Sequence, residues 1–286
     1  MYHLTVSPDT FQVLKETRHQ NPLIQRSAVD LEKARRQHAA LESHLPKLIS
    51  IDVQSKESLP DLVYIASGGL SLPRLPESVV ILPRMKYASR RAELPIVKTI
   101  FQKLGVKMME LPPGIVFEGE AEAVWLQGGK ILLHGYGYRS TKATGPALQR
   151  LLTEIYTHYK VPPPTVVSIA LQTPNAYHID MGLLPVTPSV CLVRKGVLSE
   201  AGIDALKRLF STVNVISSSD PFALNAVVLE KTILTHKPLD PAVKQTLEEL
   251  SGKSVTQVDV SEFEKGGGAV ACLVMEMYEP TQNSSR

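Results

Sequence analysis

The sequence predicts a mixed α/β protein assembled from repeating strand–helix modules, and three features carry that expectation. Short apolar segments recur along the whole chain, helical stretches alternate with groups of them, and glycine or proline marks many boundaries. A hydrophobic fraction of 43% in 286 residues supplies a substantial core. Gln127-Gly128-Gly129-Lys130 joins two apolar runs directly, as a hairpin does, whereas alternating βαβ units would require a helix there. Strand pairs separated by single helices imply modules of roughly 50–60 residues, a spacing of radial or stacked repeats rather than of one doubly wound sheet.

Taken in order, residues 28–45 form a charged, alanine-containing helix, and Lys47-Leu48-Ile49-Ser50-Ile51 an extended segment entering a sheet. Apolar runs of strand length lie near 62–66, 78–82, 106–110, 122–126, 130–134, 165–170, 190–194, 213–216, 224–229, 231–235, 254–259 and 269–276. Helices are predicted between them near 92–104, 144–159, 198–210 and 240–250. Val161-Pro162-Pro163-Pro164 is the clearest break and reads as a loop between modules, since both flanks stay regular.

Charge narrows the partners. The 31 Lys and Arg against 28 Asp and Glu leave a formal net charge of +3, too small and dispersed for a nucleic-acid binder. Lys33-Ala34-Arg35-Arg36 reads as a solvated helix face. The two cysteines, Cys191 and Cys272, do not make a disulfide framework, which favours a reducing compartment, the cytoplasm. The N-terminus lacks a basic region followed by an apolar run, and no apolar segment is long enough to span a bilayer.

Chemistry is suggested by separated, turn-flanked segments. In Lys265-Gly266-Gly267-Gly268-Ala269-Val270-Ala271-Cys272 a glycine turn delivers a thiol beside an apolar strand pattern, and the glycines permit positive φ and close approach to a ligand. A buried, inert cysteine is the alternative for that segment alone. Cys191 lacks such a turn and is assigned to the core. His178 and Asp180 form an H-x-D pair that on a strand would face one way. A di-metal ureohydrolase could use such a pair, but residue 176 is alanine and no HExxH or CxxC cluster accompanies it, so no metal is expected. Glu118-Gly119-Glu120-Ala121-Glu122 alternates three carboxylates, which in an extended chain share one side, as a solvated edge or a cation pocket. A thiol, an imidazole and a carboxylate are what thiol nucleophilic catalysis needs: a nucleophile, a proton carrier and a charge to orient it. Arg90 and Arg139 offer the planar fork that suits a carboxylate, Arg139 framed by glycines after a strand.

Together these segments resemble the guanidino-group-modifying superfamily: dimethylarginine dimethylaminohydrolases, arginine deiminases and dihydrolases, and amidinotransferases. The resemblance runs across nearly the whole chain in ordered motifs. Ser58-Leu59-Pro60-Asp61-Leu62-Val63-Tyr64 looks like the family's P-D-x-V-F segment and Ser89-Arg90-Arg91-Ala92-Glu93 like S-R-R-x-E. Phe117 to Glu122 is similar to an E-G-x-x-D region, with Glu122 in place of Asp, and Gly135 to Ser140 to G-x-x-x-R-[ST]. His178-Ile179-Asp180 and Gly266 to Cys272 match the H-x-D and glycine-to-cysteine segments.

The resemblance implies a single domain over residues 1–286, folded as a five-module ββαβ α/β-propeller of the pentein type with its active site on the axis. It implies that Cys272 attacks a guanidinium carbon and that His178 protonates the departing amine, then activates water against a thiouronium intermediate. Glu118 would orient His178 and bind the cation, Arg90 and Arg139 would hold the substrate carboxylate, and Asp61 its amino end. No cofactor is implied, and the partner is a small guanidino compound rather than nucleic acid or membrane, with homo-oligomerisation left open. Ala66-Ser67 stand where dimethylarginine hydrolases carry an acidic pair, while Asp180 is present as in deiminases, where it grips an unmethylated guanidinium. Arginine and Nω-methylated arginines therefore both stay open as substrates. An inactive ligand-binding protein on the same fold and an amidinotransferase are the alternatives.

Overall fold

The computed structural model describes residues 1–53 and 58–281, whose strands form five three-stranded sheets on one plan. In each, a middle strand pairs antiparallel on one side and, through a helical crossover, parallel on the other. Strand β1 (Tyr2–Val6) passes through α1 (Leu31–Glu42) to β2 (Leu48–Ile51). The second sheet holds β3 (Leu70–Ser71), β4 (Val79–Ile81) and β5 (Lys107–Met109), with α2 (Ala88–Arg91) and α3 (Leu94–Lys103) at its crossover. The third has β6 (Ala123–Leu126), β7 (Ile131–Tyr136), α4 (Thr144–His158) and β8 (Thr165–Ala170). The fourth has β9 (Leu183–Thr187), β10 (Val190–Arg194), α5 (Glu200–Lys207) and β11 (Thr212–Ile216). The fifth has β12 (Val227–Val228), β13 (Thr232–His236), α6 (Pro241–Ser251) and β14 (Ser254–Val258). After α7 (Ser261–Glu264) the chain returns as β15 (Met275–Met277), antiparallel to β1, so the last strand completes the sheet that the first begins.

Local chemistry sets these boundaries. Helices α1, α5 and α6 start at Asp30, Ser199 and Asp240, whose side chains accept from Lys33, Gly202 and Ala242 backbone N–H groups. Pro241 occupies the first turn of α6 and Gly252 ends it in the left-handed region at φ 68°. The predicted hairpin is present: Gln127, Gly128 and Gly129 all have positive φ between β6 and β7. Arg35 and Arg36 are exposed on α1 while Ala34 is buried, as a solvated basic face requires. Cys191 is fully buried in β10.

Several expectations are corrected. Residues 62–66 are not a strand; Leu62, Val63, Tyr64 and Ile65 are buried in a turn that runs into a 3-10 helix at Ile65–Gly68. An apolar run buried on every side has no alternation to mark it as turn rather than strand. Of residues 224–229 only Val227–Val228 are strand, and of 269–276 only the end is, because Ala271–Leu273 is a 3-10 turn. The proline break at 161–164 lies inside the third module, between α4 and β8, rather than between modules. Three strands were not anticipated, the two-residue β3 among them. Strand β9 carries Pro185, which an edge position accommodates, and β1 is fixed by partners distant in sequence, β2 and β15.

Candidate active site

The plan of the sheets places the chemistry. Each connection from one sheet to the next carries a residue or pair into the same region: Asp61 and Ser67, Glu118, His178 and Asp180, Asn225, and Cys272. The segments that follow a middle strand add Asn21 and Arg139 from turns and Arg90 from the short helix α2. Asp61, Arg90, Arg139, His178 and Cys272 border one cavity of about 30 Å³, room for one or two waters.

Glu118 is fully buried just before a 3-10 turn at Gly119–Glu122. Gly119 has φ 65°, and a Cβ there would lie 2.6 Å from the Gly69 carbonyl oxygen, so the turn needs glycine. The turn sends the three carboxylates apart, which corrects the shared side expected of an extended chain. Glu118 faces His178, Glu120 accepts from the Glu276 N–H, and Glu122 accepts from the N–H groups of Glu118 and Ser140. Glu122 thereby ties the Glu118 backbone to the turn that carries Arg139.

Glu118 Oε2 receives His178 Nε2 at 2.8 Å and Arg139 Nη1 at 3.2 Å, and Oε1 receives the Lys86 N–H at 3.0 Å. Burial opposes its charge, but Arg139 and the His178 hydrogen bond outweigh it and hold the carboxyl well below the usual range. Burial pushes His178 down to about 4, against the pull of Glu118, so the imidazole is neutral at pH 7. An ionised carboxylate only accepts; Nε2 therefore carries the proton and Nδ1 is left basic. His178 itself is extended and precedes a 3-10 turn at Ile179–Met181, not a strand as the H-x-D pair was expected to be.

Cys272 Sγ lies 3.7 Å from Asp180 Oδ2 and receives Asn225 Nδ2 at 3.3 Å. Burial, then the Asp180 charge, push the thiol upward, and burial raises Asp180 to about 7. Asp180 Oδ1 is buried without a hydrogen-bond partner among the described residues. The glycine turn makes room for the protein's own side chains: at Gly267, φ 84°, a Cβ would lie 2.3 Å from Asn21 Nδ2. Asn21 donates to the Tyr177 hydroxyl at 2.9 Å and to the Gly266 carbonyl at 3.2 Å.

Both arginines are anchored. Arg139 donates to the Gln20 carbonyl at 2.9 Å, and its guanidinium lies 4.5 Å from the Tyr177 ring centroid and 5.0 Å from that of Tyr87. Arg90 grips Glu93 of its own motif through Nε and Nη2, and Nη2 also donates to the Asp61 carbonyl at 3.2 Å. All seven residues singled out in the sequence thus meet. Sequence reasoning missed Asn21, Tyr177 and Asn225; the one signal for Asn225 was a lone amide inside the apolar run 222–229.

A second cavity of about 190 Å³ lies beyond Asp180, bordered by Glu120, Glu276 and Tyr278. Among the described residues no group of three or more His, Cys, Asp or Glu is arranged to hold a metal ion, and no helix is long and apolar enough to cross a membrane.

No family model matches the chain. It is 30% identical over 253 residues to an uncharacterized protein of Caenorhabditis elegans, covering 87% of this chain and 85% of that one. It is 30% identical over 240 residues to the bifunctional arginine dihydrolase/ornithine cyclodeaminase AgrE of Nostoc sp., covering 81% of this chain and 31% of that protein, about a third of its length. With N(G),N(G)-dimethylarginine dimethylaminohydrolase of Mycobacterium tuberculosis it shares 26% identity over 87% of this chain and 78% of that protein. Among solved structures, the N-terminal domain of ArgZ, a cyanobacterial arginine dihydrolase, bound to substrate, matches with a TM-score of 0.83 at 25% identity over 98% of both chains. A dimethylarginine dimethylaminohydrolase adduct matches at 0.69 and 20% identity, over 96% of this chain and 98% of that one, a likeness of fold. With its motifs gathered around one buried cavity, the chain belongs to the guanidino-group-modifying superfamily of arginine dihydrolases and dimethylarginine dimethylaminohydrolases.

Proposed function

We propose that this chain is a cysteine-dependent hydrolase that cleaves C–N bonds in the guanidino group of arginine or an Nω-methylated arginine. It acts as a single domain whose five sheets close into a ββαβ propeller, a closure supported by the pairing of β15 with β1. One observation carries the function: three inter-sheet connections bring Glu118 against His178 and Asp180 against Cys272, with His178 and Cys272 bordering one buried cavity.

A guanidinium seated between Asp180 and Glu118 brings positive charge beside Cys272, offsetting the burial that keeps its thiol protonated. His178 takes the thiol proton, and the thiolate forms a C–S bond to the guanidinium carbon. The C–N bond then breaks, its electron pair leaving on nitrogen with the proton that His178 returns. Water, deprotonated by His178, attacks the thiouronium carbon; the C–S bond breaks and the thiol is restored. Arg139 and Arg90 hold the carboxylate end and Asp61 the amino end. The unpartnered Asp180 Oδ1 suits an unmethylated guanidinium, whose additional N–H needs an acceptor.

The test is a mass-spectrometric screen of arginine, monomethylarginine, asymmetric dimethylarginine and agmatine with the wild type and Cys272→Ser. Wild-type turnover to citrulline or ornithine is expected, insensitive to chelators, and none with the folded variant. Undiminished turnover by Cys272→Ser would remove Cys272 from the mechanism.

A further inference from the structure

We propose that Asn225 is a further catalytic residue, its amide nitrogen donating to the Cys272 sulfur and to Asp180 together so that thiolate and carboxylate stand side by side as anions. This rests on Cys272 being the nucleophile, as above, and gives work to a residue that mechanism leaves idle. Four of the five inter-sheet connections bring an ionisable or nucleophilic side chain to the site. The connection from the fourth sheet to the fifth brings Asn225.

Asn225 is fully buried, with 0% of its surface open to solvent. Its two ends do different things. Oδ1 accepts from the N–H groups of Ala271 at 2.9 Å and Cys272 at 3.4 Å, pinning the 3-10 turn that presents the thiol. Nδ2 lies 3.2 Å from Asp180 Oδ2 and 3.3 Å from Cys272 Sγ. The orientation of the amide is not arbitrary: backbone N–H groups only donate, so the atom facing them is the oxygen, and the two N–H bonds point at sulfur and carboxylate.

Sulfur and Oδ2 are 3.7 Å apart. Two anions that close raise each other's pKa, and burial raises both further. A neutral donor bonded to both opposes this without adding a cation that would compete with the guanidinium. Asp180, Cys272 and Asn225 are the groups in mutual contact here; Asp61, His178, Arg90 and Arg139 face the same cavity as Cys272, and Glu120 and Glu276 face the neighbouring cavity beside Asp180.

The experiment titrates Cys272 by its thiolate ultraviolet absorbance, without substrate, in a Cys191→Ala background that leaves one thiol. Asn225→Asp keeps an acceptor for the Ala271 and Cys272 N–H groups but loses the donor; Asn225→Leu removes both and adds no charge. Circular dichroism establishes that each variant is folded, and Asn225→Ser replaces the leucine variant if that one is not. The thiolate titration is expected to move up by about one pH unit or more in the aspartate and the neutral variants. With substrate, kcat should fall more than KM changes. In an Asp180→Asn background the effect of the neutral variant should shrink, since one of the two anions is gone. A shift in Asn225→Asp with none in the neutral variant would trace the effect to the new charge and overturn the proposal, as would unmoved titrations in both. A wild-type Cys272 that neither titrates nor turns over any substrate removes the nucleophile itself, a failure distinct from an Asn225 without effect.

Discussion

His236→Gln is expected to destabilise the protein by about 3 kcal/mol at neutral pH and below, with a cost that fades in alkali. His236 ends β13, buried, with Nδ1 2.9 Å from Glu264 Oε1 and Nε2 2.7 Å from Asp220 Oδ2. The second contact is a close ion pair rather than an aligned hydrogen bond. Asp220 opens the turn leading to Asn225, its Oδ1 accepting from the Phe222 N–H, and Glu264 ends α7 just ahead of the glycine turn leading to Cys272. One imidazolium therefore ties together the two segments that meet at the nucleophile. Burial alone would lower the His236 pKa, but the bonds to Asp220 and Glu264 outweigh it and raise it from 6.5 to about 9. At about 1.4 kcal/mol per pH unit, that rise corresponds to about 3 kcal/mol. Because the folded pKa is the higher one, this stabilisation is complete below pH 6.5 and is lost as pH rises through about 9. Urea unfolding of wild type and variant across that window measures the difference directly. A difference that stays constant from pH 6.5 to beyond 9 would refute the charged clasp and leave only packing at this position.

Two further outcomes follow from the charged groups around Glu118. Arg139→Ala should lower kcat/KM for arginine by about one to two orders of magnitude, since a charged hydrogen bond contributes roughly 1.5–3 kcal/mol. Arg139 also supports Glu118, so agmatine, which has no carboxylate, is the control and should lose much less; a wild type that prefers agmatine to arginine would refute the carboxylate clamp. Glu118→Gln should destabilise the fold by about 3–5 kcal/mol by leaving Arg139 without its buried anion. The Glu118 pKa is depressed on folding, so this contribution is present above the ordinary value of 4.5 and lost as pH falls below it, and the two proteins should converge in acid unfolding.

The five longer helices were legible because each turns one apolar face to a sheet, and the capping residues Asp30, Ser199 and Asp240 mark where three of them start, whereas the four-residue α2 and α7 are too short to show a period. Pairing partners were not. Tyr2–Val6 is a strand because Met275–Met277 and Leu48–Ile51 lie on either side of it, information that no local window contains. The apolar segment at 62–66 looked like a strand for the opposite reason: it is buried as deeply as one while its backbone turns. In the site, the charged and nucleophilic residues stood out by type and by their order along the chain. Asn21 and Asn225 did not, since an amide in a turn is ordinary until its partners are known.

The same contrast explains why the spacing of the site residues along the chain shows no pattern of its own. A site residue placed in each inter-sheet connection recurs at the period of the module, far longer than any helical or strand period, and with a different residue type from one connection to the next. Nothing in such a pattern is periodic in composition. The connections can diverge in chemistry because the strands and helices that hold them repeat, so the side chain each one presents is set independently on equivalent supports. The segments that follow a middle strand vary likewise, and Asn21, Arg90 and Arg139 lie there, bordering the same cavity. In the proposed function the reacting groups all lie in the first kind of segment, while recognition of the amino-acid end draws on both, Asp61 from the first and Arg90 and Arg139 from the second. Under the proposed roles, substitutions at Arg90, Arg139, Ala66-Ser67 or Asp180 should shift substrate preference, whereas substitutions at Glu118, His178 or Cys272 should abolish turnover of every guanidino substrate alike.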